Sequence, residues 1–283
     1  MRRFWAAVAV VAVLGVVALV AWQRLGDRVR DLVPRATGCR AEVGELSASL
    51  DLEQGRHAAL IAAIGVRRGL PARAATIALA TAMQESKLRN LDYGDRDSLG
   101  IFQQRPSQGW GTPRQVRDPV YATEAFYDGL VRVEGYETLE ITVAAQRVQR
   151  SGYPEAYARH EPEARALASA LTGHSPRAFW CVVEPGASGR PARVREVVSE
   201  TFGGLVTAPV VRGRQVTVTP TDGRVGWAVA HLLVAYADDL GLRRVAHRGW
   251  VWTAEDSPDG WVRSDARVGP RVVADVSAPT PAD

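Results

Sequence analysis

An uninterrupted apolar run at residues 4–22 constrains this 283-residue chain more than any other feature. The run contains nineteen residues without a charged or polar side chain, and as a helix it is about 28 Å long, close to the hydrocarbon thickness of a bilayer. Arg2 and Arg3 precede it, and Trp5 and Trp22 lie near its two ends, where amphipathic rings prefer to lie. We predict an uncleaved signal-anchor that contacts the lipid bilayer through residues 4–22.

A cleaved secretory signal is the alternative reading of the same run. Cleavage requires small residues at positions −3 and −1 before the cut, whereas Leu19 would occupy position −3 for a cut after Ala21. Both readings put the rest of the chain outside the cytoplasm. We therefore expect a single-pass protein of the cell membrane with an extracytoplasmic main body, or a secreted protein if the signal is removed.

The formal net charge of +4 belongs to the flanks of this apolar run. Residues 1–30 hold five arginines and one acid, and the remaining 253 residues are neutral. A nucleic-acid-binding protein needs a basic patch that releases counterions from phosphates, so we expect no nucleic-acid partner. One span without a polar residue cannot form a transport path either.

The two cysteines, Cys39 and Cys181, predict a disulfide in an oxidising compartment, with two free thiols as the alternative. The bridge would close a loop of about 140 residues, which the chain-entropy description values at about 4–5 kcal/mol. The five histidines are scattered, and none has the spacing of a metal site. We predict no metal and no cofactor.

Shifts in composition divide the chain into six predicted segments, with a Pro-, Gly- and Ser-rich linker in the middle. They are a cytoplasmic stub with the anchor (1–24), a juxtamembrane linker (25–38), a first domain (39–181), the linker (182–192), a second domain (193–277) and a disordered tail (278–283).

The first domain is predicted to be mostly helical. An amphipathic helix at 53–68 ends before Gly69, a second helix opened by Pro71 runs to about Glu85, and Asp118 caps a third. The other predicted elements are a loop-rich stretch at 88–117 and helices at 139–150 and 154–172. Long loops inside compact domains are usually functional.

Glu85 is the centre of the predicted chemistry. It continues one stripe of its helix, which consists of Ile77, Ala78, Thr81 and Ala82. Burial and the negative end of the helix dipole both raise a carboxyl pKa, and a protonated Glu can donate to a glycosidic oxygen. The alternative is a surface Glu paired with Lys87 or Arg89.

Two motifs follow one another around this residue. Gln84-Glu85-Ser86 closes the helix, and Tyr93-Gly94-Asp95-Arg96 leads to Gly100-Ile101-Phe102-Gln103. The pattern resembles the lysozyme-like superfamily, in particular soluble lytic transglycosylases and goose-type lysozymes, over roughly residues 50–175. The resemblance implies a mainly α lysozyme-like domain after the transmembrane helix, and peptidoglycan glycan strands as the substrate.

The same resemblance assigns roles to individual residues. Glu85 would be the catalytic acid and base, and Asp95 would help to place a water. Stacking on sugar faces or core packing are both open for Trp110, Phe102 and Tyr121. The residues expected to bind substrate are Ser86, Tyr93, Gln103, Gln104, Gln149 and Tyr153.

Two departures from the family pattern bear on the reaction. The second Asp of goose-type enzymes falls at Arg105, which favours a lytic transglycosylase that forms a 1,6-anhydro product. The Tyr-Asn-Ala-Gly element of many transglycosylases is missing, with Gln149 or Tyr153 as candidate substitutes. A hydrolytic muramidase and a non-catalytic wall-binding or scaffold protein therefore stay as alternatives, and no protein partner is predicted.

The second domain reads as a smaller α/β or α+β domain, with a helix stopped by Gly241 and a strand at 271–276. The run 226–261 resembles a degenerate form of zinc D-Ala-D-Ala peptidases. Thr217 falls where those enzymes carry a metal Asp, and the closing strand has no histidine. Zinc needs at least three ligands, so we expect no peptidase activity, and we expect His231 to be packed or at the surface.

Overall fold

A computed structural model describes residues 36–149, 155–186, 188–265 and 268–278, and these form a mixed α+β structure. The predicted anchor at 4–22 lies outside the described residues, and none of the helices within them is long and apolar enough to span a bilayer. Residues from Thr37 onward group into one compact unit.

We call the part from β1 to β3 the N-terminal region. Its elements are β1 (Gly38–Val43), β2 (Leu46–Leu50), α1 (Leu52–Arg67), α2 (Ala72–Ser86), α3 (Pro113–Val116), α4 (Pro119–Leu130), α5 (Ile141–Gln149), α6 (Glu161–Leu171) and β3 (Phe179–Val182). Short 3₁₀ turns lie at Pro106–Gln108 and Ala158–His160.

Local capping fixes the starts of two of these helices. Asp51 forms a capping box with Gln54, in which each side chain binds the backbone N–H of the other residue at 2.9 Å. Asp118 accepts from the N–H of Val120 at 2.9 Å and so caps α4, as predicted. The predicted ends of α1 and α2 are confirmed to within one or two residues.

Three strands in this region were not predicted. They form an antiparallel sheet in the order β2-β1-β3, and α6 packs against β1 and β2. Cys39 and Cys181 are direct partners in the register of β1 and β3, and they form the predicted disulfide with an S–S distance of 2.05 Å. The bridge therefore joins the first strand of the region to its last.

The C-terminal region, from α7 to β9, carries a six-stranded antiparallel sheet in the order β4-β5-β9-β6-β7-β8. Its elements are α7 (Pro191–Phe202), β4 (Val210–Arg212), β5 (Gln215–Val218), α8 (Gly223–Ala235), α9 (Ala237–Leu240), β6 (Leu242–His247), β7 (Trp250–Thr253), β8 (Val262–Arg263) and β9 (Val272–Val276). The predicted strand at 271–276 is confirmed as β9, and the predicted helix stop at Gly241 is confirmed as well.

Helix α8 is packed on both sides. It contacts α1, α6 and β3 of the N-terminal region and β6 and β9 of its own sheet, and every residue from Val225 to Ala235 is buried. A helix that is apolar all round lies either in a protein core or in a membrane, and the contacts of α8 place it in the core. Two indoles add to this junction, because Trp252 and Trp261 donate to the carbonyls of Cys181 and Phe179 at 3.0 and 2.8 Å.

The Pro- and Gly-rich stretch predicted as a linker at 182–192 overlaps two ordered elements. Its first residue ends β3, and Pro191 begins α7 because a missing N–H costs nothing at the first helical position. A Cβ on Gly189 would lie 1.9 Å from the Leu240 carbonyl oxygen, so the chain is closely packed there.

Candidate functional site

Glu85 is the penultimate residue of α2, at the end of a buried helix face. Ile77, Ala78, Thr81 and Ala82 on that face are fully buried, as the predicted stripe required. Arg89, one of the two residues offered as a surface partner, instead pairs with Asp51 and with Glu53. The Glu85 side chain turns inward to a polar cluster.

The phenol of Tyr157 donates a hydrogen bond to Oε1 of Glu85 at 2.6 Å, and Gln149 hydrogen-bonds the same carboxyl group. Burial raises the pKa of Glu85, and these two hydrogen bonds partly offset that rise because they stabilise the ionised form. Tyr157 itself is fully buried. The carboxyl group is thus held by two polar side chains and is set toward its protonated state.

Gln149 and Ser86 connect this cluster to the loop that follows α2. Gln149 is the last residue of α5, and its side-chain amide donates to the Phe102 carbonyl at 2.7 Å. Ser86 is buried, and its hydroxyl donates to the Ile101 carbonyl at 2.7 Å. Both residues therefore brace the 101–102 backbone beside Glu85.

The Gly-aliphatic-aromatic-Gln motif has a local structural reason. Gly100 has a φ of +78°, and a Cβ there would lie 2.1 Å from the Val116 carbonyl oxygen. Phe102 is fully buried and stacks on Phe126 with ring centroids 4.6 Å apart, so it packs in the core. Gln103 also has a positive φ, +49°, and its amide donates to the carbonyls of Tyr93 and Gly100.

The acidic residues of the loop lie at the surface. The Asp95 side chain is 92% exposed, and its carboxylate lies 3.9 Å from Nε of Arg96. Tyr93 is 69% exposed. Asp97 instead accepts hydrogen bonds at 2.8 Å from the Ser107 N–H and from Nε of Arg105, which hold the pKa of this carboxyl well below its usual range.

Gln104 and Tyr153 are the remaining residues that were predicted to bind substrate. The Gln104 side chain is almost completely buried and donates to the Ala122 carbonyl at 3.0 Å, so it braces α4. Tyr153 lies outside the described residues. The structure therefore brings Glu85, Ser86 and Gln149 together, while Gln104 faces the core.

Tyr157 is the residue that the sequence prediction missed. It lies 72 positions from Glu85 and outside both motifs. No local pattern announces a contact across that separation. The 3₁₀ turn at Ala158–His160 contacts the same helix end, because Arg159 and His160 both lie within hydrogen-bond distance of the Gln84 side chain.

Gln149 also lines a groove. The groove has a volume of about 720 Å³ and runs between α4, α5 and the chain after the first 3₁₀ turn. Trp110 and Tyr121 line it, and both side chains are half-buried. Gln149 lines the groove and also hydrogen-bonds the carboxyl group of Glu85, so this side chain connects the two.

The histidines of the C-terminal region are packed in the core. His231 is fully buried, as predicted for a packed residue, and its Nδ1 donates to the Ala170 carbonyl at 2.8 Å. His247 is also buried, with Nδ1 3.1 Å from the Arg271 carbonyl. Over the described ranges there is no group of three or more His, Cys, Asp or Glu side chains that could hold a metal ion.

In comparisons with known protein families and with curated proteins, no family and no protein matches this chain. The case for a function thus depends on the residues and the geometry described above.

Proposed function

We propose that the protein is a peptidoglycan lytic transglycosylase, which cleaves the β-1,4 bond between N-acetylmuramic acid and N-acetylglucosamine with a single carboxyl group. The observation that carries this proposal is the setting of Glu85. Its side chain is half-buried at a helix end, its pKa is raised by burial, and Tyr157 binds it at 2.6 Å. A raised carboxyl pKa favours the protonated form that a general acid needs.

In the proposed reaction Glu85 first gives its proton to the glycosidic oxygen, and the bond from that oxygen to the muramoyl anomeric carbon breaks. The carboxylate left behind is stabilised by the hydrogen bonds from Tyr157 and Gln149. It then accepts the proton of the muramoyl 6-hydroxyl, whose oxygen closes on the anomeric carbon. The substrate's own N-acetyl group stabilises the cation, so no second carboxylate is needed.

The surroundings of Glu85 favour this route over hydrolysis. Arg105 stands at the position of the second Asp and is tied to Asp97 at 2.8 Å. Asp95, the predicted water-placing residue, has an almost completely exposed side chain. Neither carboxylate among these loop residues is in hydrogen-bond contact with the Glu85 cluster as described, and an inverting hydrolase needs a carboxylate base for its water.

Mass spectrometry of the muropeptides released from purified peptidoglycan tests the proposal. Transglycosylation yields 1,6-anhydro ends, which are lighter by one water than the reducing ends left by a muramidase. Glu85→Gln should lower the rate by about 10²–10⁴-fold, the usual contribution of general acid–base catalysis. The matched control is Glu134→Gln, because Glu134 is an exposed acid outside the cluster.

Each rival function predicts a different result. Reducing ends in place of anhydro ends would favour a muramidase. Equal, background rates for the unaltered chain and for Glu85→Gln would leave the non-catalytic wall-binding or scaffold function. The missing Tyr-Asn-Ala-Gly element keeps that last alternative in view.

We further propose that residues 4–22 anchor the protein in the cell membrane and that the remainder acts outside the cytoplasm. The Cys39–Cys181 disulfide supports this, since such bonds persist in oxidising compartments. The C-terminal region would then serve as a metal-free binding or spacing module against the wall. Added protease should digest the main body in intact spheroplasts, and a chelator should leave activity unchanged.

A further inference from the structure

Two aromatic residues and two nearby glycines shape the groove beside Gln149. Trp110 and Tyr121 are the aromatic residues that line it. A Cβ on Gly111 would lie 2.8 Å from the Tyr121 hydroxyl oxygen, and a Cβ on Gly129 would lie 3.0 Å from Val148 and 3.7 Å from Trp110. A larger residue at either position would crowd these side chains, so the two glycines allow the aromatic rings to pack closely beside the groove.

The charges along this groove are not balanced. Asp128 lines the groove, but its carboxylate pairs with Arg68 at 2.7 Å. Arg132, which follows α4, and Arg147, on α5, both line the groove and are exposed. Neither arginine forms an ion pair with any residue that the structure describes. The groove thus offers two guanidinium groups to an occupant.

A guanidinium group prefers a particular kind of partner. Its planar fork of N–H donors matches the two oxygens of a carboxylate, and the match adds geometric selectivity to charge attraction. A neutral sugar ring stacks on aromatic side chains and offers no carboxylate to the N–H donors of the guanidinium group. A site that combines aromatic rings with two unpaired arginines therefore fits a saccharide that carries an acid.

We propose that the groove selects glycan strands that carry carboxylates, and that Arg132 and Arg147 bind those carboxylates as specificity-determining residues. This inference rests on the proposed function, because it concerns the substrate of the same site. The carboxylate can come from the lactyl ether of the muramoyl sugar or from its peptide stem. Neutral N-acetylglucosamine polymers would bind through Trp110 and Tyr121 alone.

Equilibrium binding by the full chain carrying Glu85→Gln tests the inference without cleavage. Three ligands of matched length separate the sources. Chitooligosaccharide has no carboxylate, and amidase-treated glycan strands expose a free lactyl carboxylate. Intact strands carry the carboxylates of the peptide stem, while their lactyl carboxyl group is bound as an amide. We expect Arg132→Gln and Arg147→Gln each to weaken binding of the carboxylate-bearing strands by about three- to tenfold, as for partly exposed charged contacts. Chitooligosaccharide affinity should stay unchanged.

Two controls separate recognition from folding. Arg114→Gln removes an exposed arginine outside the groove and should change no affinity. Arg132→Lys or Arg147→Lys keeps the charge and should retain part of the preference for acidic strands. A structural role alone would move all three affinities together with the midpoint of thermal unfolding.

The outcomes distinguish this inference from the proposed function. Equal affinities for all three ligands, or equal losses for all three in the arginine variants, would overturn the inference while the glycan function stands. Failure of the full chain to bind any glycan would overturn both. A loss confined to intact strands assigns the carboxylate to the peptide stem, and a loss confined to amidase-treated strands assigns it to the lactyl group. A loss for both ligands shows that the arginines bind either carboxylate. All three results support the inference.

Discussion

Acidification should destabilise this fold through His231, which is fully buried where α8 meets the N-terminal region. Its Nδ1 lies 2.8 Å from the Ala170 carbonyl on α6, and a carbonyl only accepts, so Nδ1 carries the ring proton. Nε2 accepts no hydrogen bond from the described residues. A second proton would place an unpaired N–H and a charge in the core.

The groups around this ring offer little compensation for a charge. Phe179 on β3, Trp227 on α8 and Trp261 all lie with ring centroids 5.5–6.1 Å from it. His247 on β6 is the one titratable group among the described residues with an electrostatic effect on it, and that effect is repulsive. Burial is the largest cause of the low pKa of His231, which falls from 6.5 to about 4.

The size of the effect follows from this difference. The unfolded chain binds the proton below about pH 6.5, whereas the folded chain binds it only near pH 4. The stabilisation that neutral His231 provides is therefore complete above about pH 6.5, and it is lost as the pH falls from 6.5 toward 4. Since one unit of pKa corresponds to about 1.4 kcal/mol, the loss amounts to about 3 kcal/mol. His247, whose pKa is also lowered by burial, adds in the same direction.

Denaturant unfolding of the full chain, followed by tryptophan fluorescence at several pH values between 7.5 and 4, measures this loss. His231→Asn cannot be protonated in this range, and its amide can still donate toward Ala170. It should flatten the pH dependence of the free energy of unfolding by up to about 1.4 kcal/mol per pH unit. His174→Asn, at an exposed histidine whose pKa is also lowered by burial, is the comparison variant and should flatten the slope less. An unchanged slope in His231→Asn would refute the reasoning.

Three further predictions concern the disulfide and the Glu85 cluster. Replacing Cys39 and Cys181 with Ala should lower the free energy of unfolding by about 5 kcal/mol, because the bridge closes a long loop, and a loss below about 1 kcal/mol in urea unfolding would contradict the chain-entropy argument. Tyr157→Phe removes a hydrogen bond to ionised Glu85, so the pKa of Glu85 should rise further. The alkaline limb of the pH–rate profile for glycan cleavage should then move to higher pH. An alkaline limb that stays in place would argue against this contact. Ser86→Ala leaves a buried carbonyl of the following loop without its donor and should cost about 1–3 kcal/mol in urea unfolding, whereas unaltered stability would show that the loop does not depend on this bond.

Elements that depend on neighbouring residues could be predicted from the sequence. Asp118 before Pro119 is a complete start signal for a helix, and the structure has that cap. The raised pKa of Glu85 was also predicted from its position on an apolar helix face, because such a face packs against the rest of the fold.

Elements that depend on distant partners could not be predicted. Strand β1 gains its buried alternation from pairing with β3, which lies more than 130 residues away. The Pro-rich start of α7 has the composition of a linker, whereas the helix packs on α1, β4 and β5 in the fold. Tyr157 reaches Glu85 through the fold, so its role is visible only in three dimensions.

The position of the disulfide has a mechanical consequence. A pulling force applied to the chain ahead of β1 would load Cys39 first, and the covalent bond would pass that load straight to Cys181 on β3. The chain between the two cysteines, which lie 142 positions apart in sequence and enclose the Glu85 cluster, would carry almost no tension. If the protein is anchored in a membrane and bound to the wall, as we propose, the Glu85 cluster would lie outside the loaded part of the chain.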